Sequence, residues 1–222
     1  MDTTLGTDDK RPALAHQFED LAQQHAADDL GMWLFLATEL MFFSALFLAY
    51  AIYRSQHEAV FAAASHELSL FWGTLNTGIL LTSSLTMALA GLSAEDRRQK
   101  SLVGYLSGTI VLGTTFLFIK GFEYYEKYQR GLMPFRGLTF KWQGDSPQHA
   151  ELFFDLYFAL TGVHALHMII GLGILLVLLT KAIKGNLVGD KSSPVRVSGL
   201  YWHFIDLIWV FLFPLLYLIG TR

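Results

Sequence analysis

The sequence predicts an all-α membrane protein, a polytopic bundle of five transmembrane helices. Three observations carry that expectation. The 222 residues are 53% hydrophobic and only 16% charged, with 18 Phe, which is too little charge for a soluble domain of this length. Five apolar runs each reach the roughly 20 residues that a spanning helix needs. The connectors between them leave almost no room for a soluble domain, so residues 1–29 read as a polar N-terminal segment and 30–222 as the five-helix transmembrane domain. The net charge of −3 excludes affinity for nucleic acid. Cys is absent, which removes disulfides, iron–sulfur clusters, thiolate metal sites and a covalently attached c-type haem.

Residues 1–29 are acidic, with Asp2, Asp8, Asp9, Glu19, Asp20, Asp28 and Asp29, and lack the basic start and apolar core of a signal peptide. A short helix is expected over about 14–27, lying on a partner or on the membrane surface. The first span covers 30–53 and has Glu39 as its only ionisable residue. Residues 54–69 read as a polar loop with His57, Glu58, His66 and Glu67. An uncharged second span covers 70–92, and SAEDRRQKS at 93–101 is a tight connector. The third span covers 102–122, with Lys120 near its end. The longest connector, 123–151, holds GLMPFRG and QGDSP. The fourth span, 152–180, carries Asp155, His164 and His167 within an apolar run. After a Lys/Gly/Ser/Pro connector comes the fifth span, 200–220.

Lys and Arg on alternate sides set the expected orientation. Lys10, Arg11, Arg97, Arg98, Lys100, Lys181, Lys184, Lys191 and Arg196 fall on one side. Arg54, Lys127, Arg130, Arg136, Lys141 and Arg222 fall on the other. The bias places the N-terminus inside and the C-terminus outside. Sequence position then becomes depth. Glu39, His203 and Asp206 lie from mid-membrane to the inner half, His164 and His167 near the middle, and Lys120, Asp155 and Glu123 near the outer surface. Two polar layers follow, an inner one of Glu, His and Asp and an outer one with an ion pair available.

A carboxyl at the depth of Glu39 costs a few kcal/mol even by lenient insertion scales. It reads as a proton-relay group, a partner-facing group, or a neutral acid tying helices together through His167 or a hydroxyl such as Thr38. His164 and His167 are three apart and share a helix face, a spacing that suits two ligands of one metal ion. With His203 and Glu39 they outline a three-His, one-carboxylate site. Interhelical hydrogen bonding and proton handling are the other readings. Asp206, three after His203, is positioned to orient its ring or to make a local salt link. Lys120 and Glu123 can pair on one face and read as a solvated rim. Tyr201, Trp202 and Trp209 fit interfacial anchoring and packing, and Gly104 with Gly108 permits close helix approach.

Five segments in order carry a family resemblance: LGMWLFLATELMFFSALFLAY with its WLFL-x-x-E-x-MFF pattern, LNTGILLTSSLT, FIKGFEYYE, TGVHALHMIIG and YWHFIDLIWVFLFPLLYLIG. They touch all five spans, and together they resemble subunit III of the haem-copper respiratory oxidases, most closely a cytochrome c oxidase. The resemblance implies a non-catalytic subunit with no cofactor of its own, haem and copper residing in subunits I and II. It implies packing on subunit I, protection of the active site from inactivation, proton supply to the uptake pathway, and bound phospholipid. Glu39 matches the family's carbodiimide-reactive acid, and Glu123, His164, His167, His203 and Asp206 match its helix-packing and polar-network positions. The expected partners are subunits I and II, membrane phospholipids and other respiratory-complex subunits, in a bacterial cytoplasmic (inner) membrane.

The sequence departs from the mitochondrial form, which has two further N-terminal helices, and is similar to the five-helix form of many bacterial oxidases. The PFRGLTFKWQGDSPQH segment has no family counterpart, and contact with another subunit is expected of it. Alternatives are subunit III of a quinol oxidase, an accessory of nitric oxide reductase, a stand-alone membrane metalloenzyme using His164, His167, His203 and Glu39, and a proton-coupled transporter. The last lacks repeat symmetry and a broken helix pair.

Overall fold

The computed structural model describes residues 18, 20–134, 140–144 and 146–218. Six α-helices follow one another: α1 (Leu21–Gln56), α2 (Glu58–Ser65), α3 (Leu70–Glu95), α4 (Gln99–Gln129), α5 (Pro147–Ile183) and α6 (Ser193–Tyr217), with a 3₁₀ turn at Gly189–Lys191. All but α2 are long and apolar enough to cross a membrane, and no strand occurs among the described residues.

The helices outrun the apolar stretches that announce them. α1 begins at Leu21, capped by Asp20, whose carboxylate accepts from the Gln23 amide at 2.7 Å. It continues unbroken into the first apolar run. The expected short helix over 14–27 is thus continuous with the span where it is described, and residues 14–17 and 19 lie outside the described residues. At about 1.5 Å per residue, α1 and α5 are each about 55 Å long, well beyond a hydrocarbon core of about 30 Å. The polar loop expected over 54–69 holds α2. Its AVFAAAS run favours helix, and Phe61 and Ala64 are buried against α5.

α3, α4, α5 and α6 pack side by side, α3 between α4 and α6, and α5 against both α4 and α6 on the other side. α1 leans on α5 and α6, and α2 on α5. Tight links hold the α3–α4 and α5–α6 ends together. Arg97 sits at φ 60°, letting the Arg98 amide turn back to the Ser93 carbonyl at 2.9 Å. The Gln99 side-chain amide then donates to the carbonyls of Ala182 and Ile183, at 3.1 and 3.0 Å, closing the end of α5.

Trp202 fills the middle of the bundle and is fully buried, its indole N–H donating to Ser83 at 2.9 Å. Two glycines make room for it. A Cβ on Gly113 would stand 2.8 Å from the Trp202 ring, and one on Gly171 3.1 Å. The close approach expected at Gly104 and Gly108 is not formed within this chain. A Cβ on Gly104 would meet nothing within 4 Å, and one on Gly108 would make only ordinary contact with Thr86. The sequence spacing was right for a small-residue pair, but α4 turns that edge outward. Trp209, also fully buried, packs edge-on against Phe116 and donates to Thr77 at 3.1 Å. Both tryptophans are thus core residues. α1 by contrast exposes Leu34, Met41, Phe42 and Leu48 on its outer side.

Gly113→Ala is expected to lower stability by about 1–3 kcal/mol through overpacking against Trp202. Gly104→Ala should stay within about 0.5 kcal/mol. Thermal unfolding of the two variants in detergent, measured side by side, checks the contrast.

Candidate functional site

Glu39 and His167 meet near the middle of their helices. The imidazole Nε2 lies 3.0 Å from the Glu39 carboxylate, and Nδ1 lies 2.8 Å from the Val163 carbonyl. A carbonyl only accepts, so Nδ1 carries a hydrogen. The Nε2–carboxyl contact then holds one proton, on either partner: a protonated acid donating to a neutral ring, or an imidazolium donating to a carboxylate. The side chains are 20% and 13% exposed, so the pair sits at the edge of the bundle, where α1 leans on α5. Phe43 packs on the His167 ring at 5.3 Å, and Tyr201 donates to the His167 carbonyl at 3.2 Å. The pair joins α1 to α5 and can exchange a proton between its members.

Lys120 and Glu123 form the second cluster, and they are buried, not a solvated rim. Lys120 is 3% exposed and Glu123 1%. The ammonium donates to Glu123 at 2.9 Å, to the Tyr217 hydroxyl at 2.8 Å and to the Tyr157 hydroxyl at 3.2 Å. Its three donors therefore meet three acceptors. The Tyr217 hydroxyl in turn donates to the second Glu123 oxygen at 2.7 Å. The Trp209 ring centre stands 5.0 Å from the ammonium. α4 supplies the ions, α5 and α6 supply the hydroxyls, and the cluster ties the three helices. Next to it Tyr124 and Thr161 bond at 2.6 Å. One turn further along α4, Lys127 reaches the Glu67 carbonyl, and Arg130 pairs with Glu67 at 3.1 Å and with Glu126. Asp155, expected beside Lys120, is exposed on the bundle surface.

The remaining polar residues do not converge. His164 and His167 are about 60° apart around the helix, and that angle sends them to different neighbours. His164, 1% exposed, packs as an aromatic ring between Phe116 and Trp209, with centroids at 5.5 and 5.3 Å, and neither nitrogen has a hydrogen-bond partner. His203 turns to α3, where Nδ1 contacts the Ser84 hydroxyl at 2.7 Å. Asp206, 3% exposed, does not orient His203. Neither of its oxygens is hydrogen-bonded, and the Ser84 hydroxyl beside it bonds the histidine instead.

Among the described residues, no three His, Asp or Glu side chains come together to hold a metal ion. The three-His, one-carboxylate site outlined by the sequence is therefore not formed. Glu39 is engaged with His167 on one side of α5, while His164 and His203 face other helices. Tyr157 and Tyr217, the residues that bury the Lys120–Glu123 pair, escaped sequence reasoning. Their signal is a tyrosine within each of two apolar spans, whose hydroxyl must find a partner when buried.

Residues 147–221 match the family described as cytochrome c oxidase subunit III. Cytochrome c oxidase subunit 3 of Alkalihalophilus pseudofirmus is 33% identical over 192 residues, covering 86% of each chain. Cytochrome bo(3) ubiquinol oxidase subunit 3 of Pseudomonas aeruginosa is 30% identical over 191 residues, covering 86% of this chain and 84% of the relative. A heme-copper oxidase subunit I+III of Aeropyrum pernix is 32% identical over 196 residues, 85% of this chain but 22% of that longer protein.

Lys120→Met strands a buried carboxylate at Glu123 and should cost about 3–5 kcal/mol. Adding Glu123→Gln removes the stranded charge and is expected to recover most of the loss. The fraction of chain remaining folded after mild heating in detergent distinguishes the single from the double variant.

Proposed function

The chain belongs to the subunit III family of the haem-copper oxidases, and from that premise we propose that it packs on subunit I of a cytochrome c oxidase and supports its stability and proton uptake. The family contributes a subunit of an oxygen-reducing complex and is not catalytic alone. The five spanning helices make the chain a multi-pass membrane protein. The finer reading is a bacterial cytoplasmic membrane, with the N-terminus inside and subunits I and II as neighbours. The Aeropyrum relative, whose name joins subunits I and III, supports the first of those partners.

The observation that carries the reading is how the polar groups are used. Glu39, His167, Lys120 and Glu123 are all committed to contacts between helices, which is the chemistry of a scaffold. Haem and copper then belong to the partner subunits. Within the scaffold the Glu39–His167 pair has a second capacity. It stands at the rim of the bundle, holds one transferable proton, and suits exchange with a proton pathway in the subunit it faces. Glu123, His164, His203 and Asp206 act as packing and network positions within this reading.

A second electron donor has an observation in its favour. The Pseudomonas aeruginosa relative is named as a ubiquinol oxidase subunit at nearly the same identity, so a quinol oxidase is the runner-up. The role proposed for this chain is the same with either donor.

The test is a mild-detergent pull-down of the chain from native membranes, followed by a reduced-minus-oxidised spectrum and metal analysis. The chain expressed alone is the control. Haem and copper in the pull-down but not in the control are expected. Metal or a haem band in the control would overturn the reading and make His164 and His167 the first ligands to replace.

A further inference from the structure

Between the last turn of α4 and the start of α5 the chain turns back on itself and leaves a hollow. Gly131, at φ 70°, ends α4 by returning its own amide to the Tyr128 carbonyl and the Leu132 amide to the Lys127 carbonyl, both at 3.0 Å. The connector then comes back to the same glycine, the Lys141 amide donating to the Gly131 carbonyl at 2.9 Å. Phe140 and Trp142, on either side of Lys141, pack on Phe154 of α5, with centroids at 5.9 and 6.5 Å. The hollow, about 480 Å³, lies between this returning stretch and the α2–α3 link, and Glu67, Arg130, Leu132, Lys141, Trp142 and Gln143 line it.

We propose that this hollow receives an acidic peptide segment of a partner chain, with one of its carboxylates against Lys141. The proposal rests on the chain working inside a complex, and adds to that reading where, and by what chemistry, another chain is held. Charge is the first argument. Among the described residues at this end of α4, Lys127, Arg130 and Lys141 stand with two carboxylates, Glu67 and Glu126, and Arg130 already bridges both. Lys127 is buried and turned to the Glu67 carbonyl. The exposed Lys141 ammonium meets no carboxylate among the described residues, so one positive charge is left over at the rim. Preparation is the second argument. The Lys141 stem lies across Gly131, where a Cβ would come within 3.2 Å of its Cγ and Cδ. A side chain already held in this way loses less freedom when its ammonium meets an anion. Depth is the third argument. Arg130 stands eight residues beyond Phe122, where the apolar run ends, which is about 12 Å at about 1.5 Å per residue. The headgroup layer adds only about 5–8 Å to each side of the hydrocarbon. The hollow therefore stands clear of a lipid phosphate, at the level of the water-exposed part of a partner. Its lining also joins the Leu132 side chain and the Trp142 ring to charged and amide groups. A peptide matches both kinds of group on one chain, whereas a free inorganic anion matches only the charge.

The experiment uses the complex purified from native membranes in mild detergent and treated with a water-soluble carbodiimide. That reagent joins an amine to a carboxylate as an amide only where the two touch, and peptide mass spectrometry then reads which residues were joined. Lys141 is expected to be joined to an Asp or Glu of another chain of the complex. Lys141→Arg keeps the charge but offers no amine, so it should lose the link while the complex stays whole. Lys141→Glu should weaken retention of the linked chain about threefold or more in moderate salt, the scale of one exposed ion pair reversed. Changing the linked carboxylate of that chain to Lys should restore retention in the Lys141→Glu background, a rescue that a merely structural role would not give. Lys141 left unjoined, joined only within its own chain, or joined to a lipid phosphate would overturn the proposal. So would unchanged retention of the linked chain in Lys141→Glu. Haem content of the same samples reports on the oxidase reading, which stands or falls separately.

Discussion

Hydrocarbon offers no hydrogen bonds, so a charged or strongly polar side chain that enters it is costly unless the protein supplies a partner. That constraint explains more of this structure than any other. A lysine and a glutamate in α4 would each be costly alone. Packed against Tyr157 and Tyr217 they have every donor and both carboxylate oxygens engaged. A buried pair of this kind adds little net stability against an apolar alternative. It does fix the relative rotation of α4, α5 and α6, because three helices must present their groups to one point. The same rule brings Glu39 of α1 to His167 of α5, and Trp202 and Trp209 to hydroxyls on α3.

The bundle divides accordingly. α3 to α6 form a body closed around two buried tryptophans, with glycines where the rings press closest. α1 is attached to that body along one edge, through the Glu39–His167 contact and the Asp29–Arg196 bridge, and shows the rest of its surface outward. A helix so placed is suited to contact lipid or another subunit, and the Glu39–His167 pair lies on the seam. An accessory subunit needs no more chemistry than this. On the function proposed, its polar residues position helices and the reacting centres lie elsewhere in the complex.

How much of this was legible beforehand depended on whether the information was local. The five spans were, because each apolar run exceeds the length a bilayer demands. The partnership of Glu39 with His167 was also within reach, since few groups lie at that depth to receive a carboxyl. The direction of the other histidines was not. Residues three apart share a face only loosely, and the 60° or so between His164 and His167 is enough to bury one among aromatic rings and turn the other to α1. Helix rotation is set by packing across the bundle, which no single stretch encodes. The burial of Lys120 and Glu123 was hidden for the same reason, because the tyrosines that cover them come from helices far along the chain. α2 was missed because the polar residues flanking it mask a short helical run.

The central claim is that this chain supports an oxygen-reducing partner without taking part in the reaction. Removing it from the native complex and following oxygen reduction through successive turnovers tests that most directly. The account predicts a remnant with its haem intact, an initial rate close to that of the whole enzyme, and a shortened working life. Immediate and complete loss of activity in a fully haem-loaded remnant would contradict it.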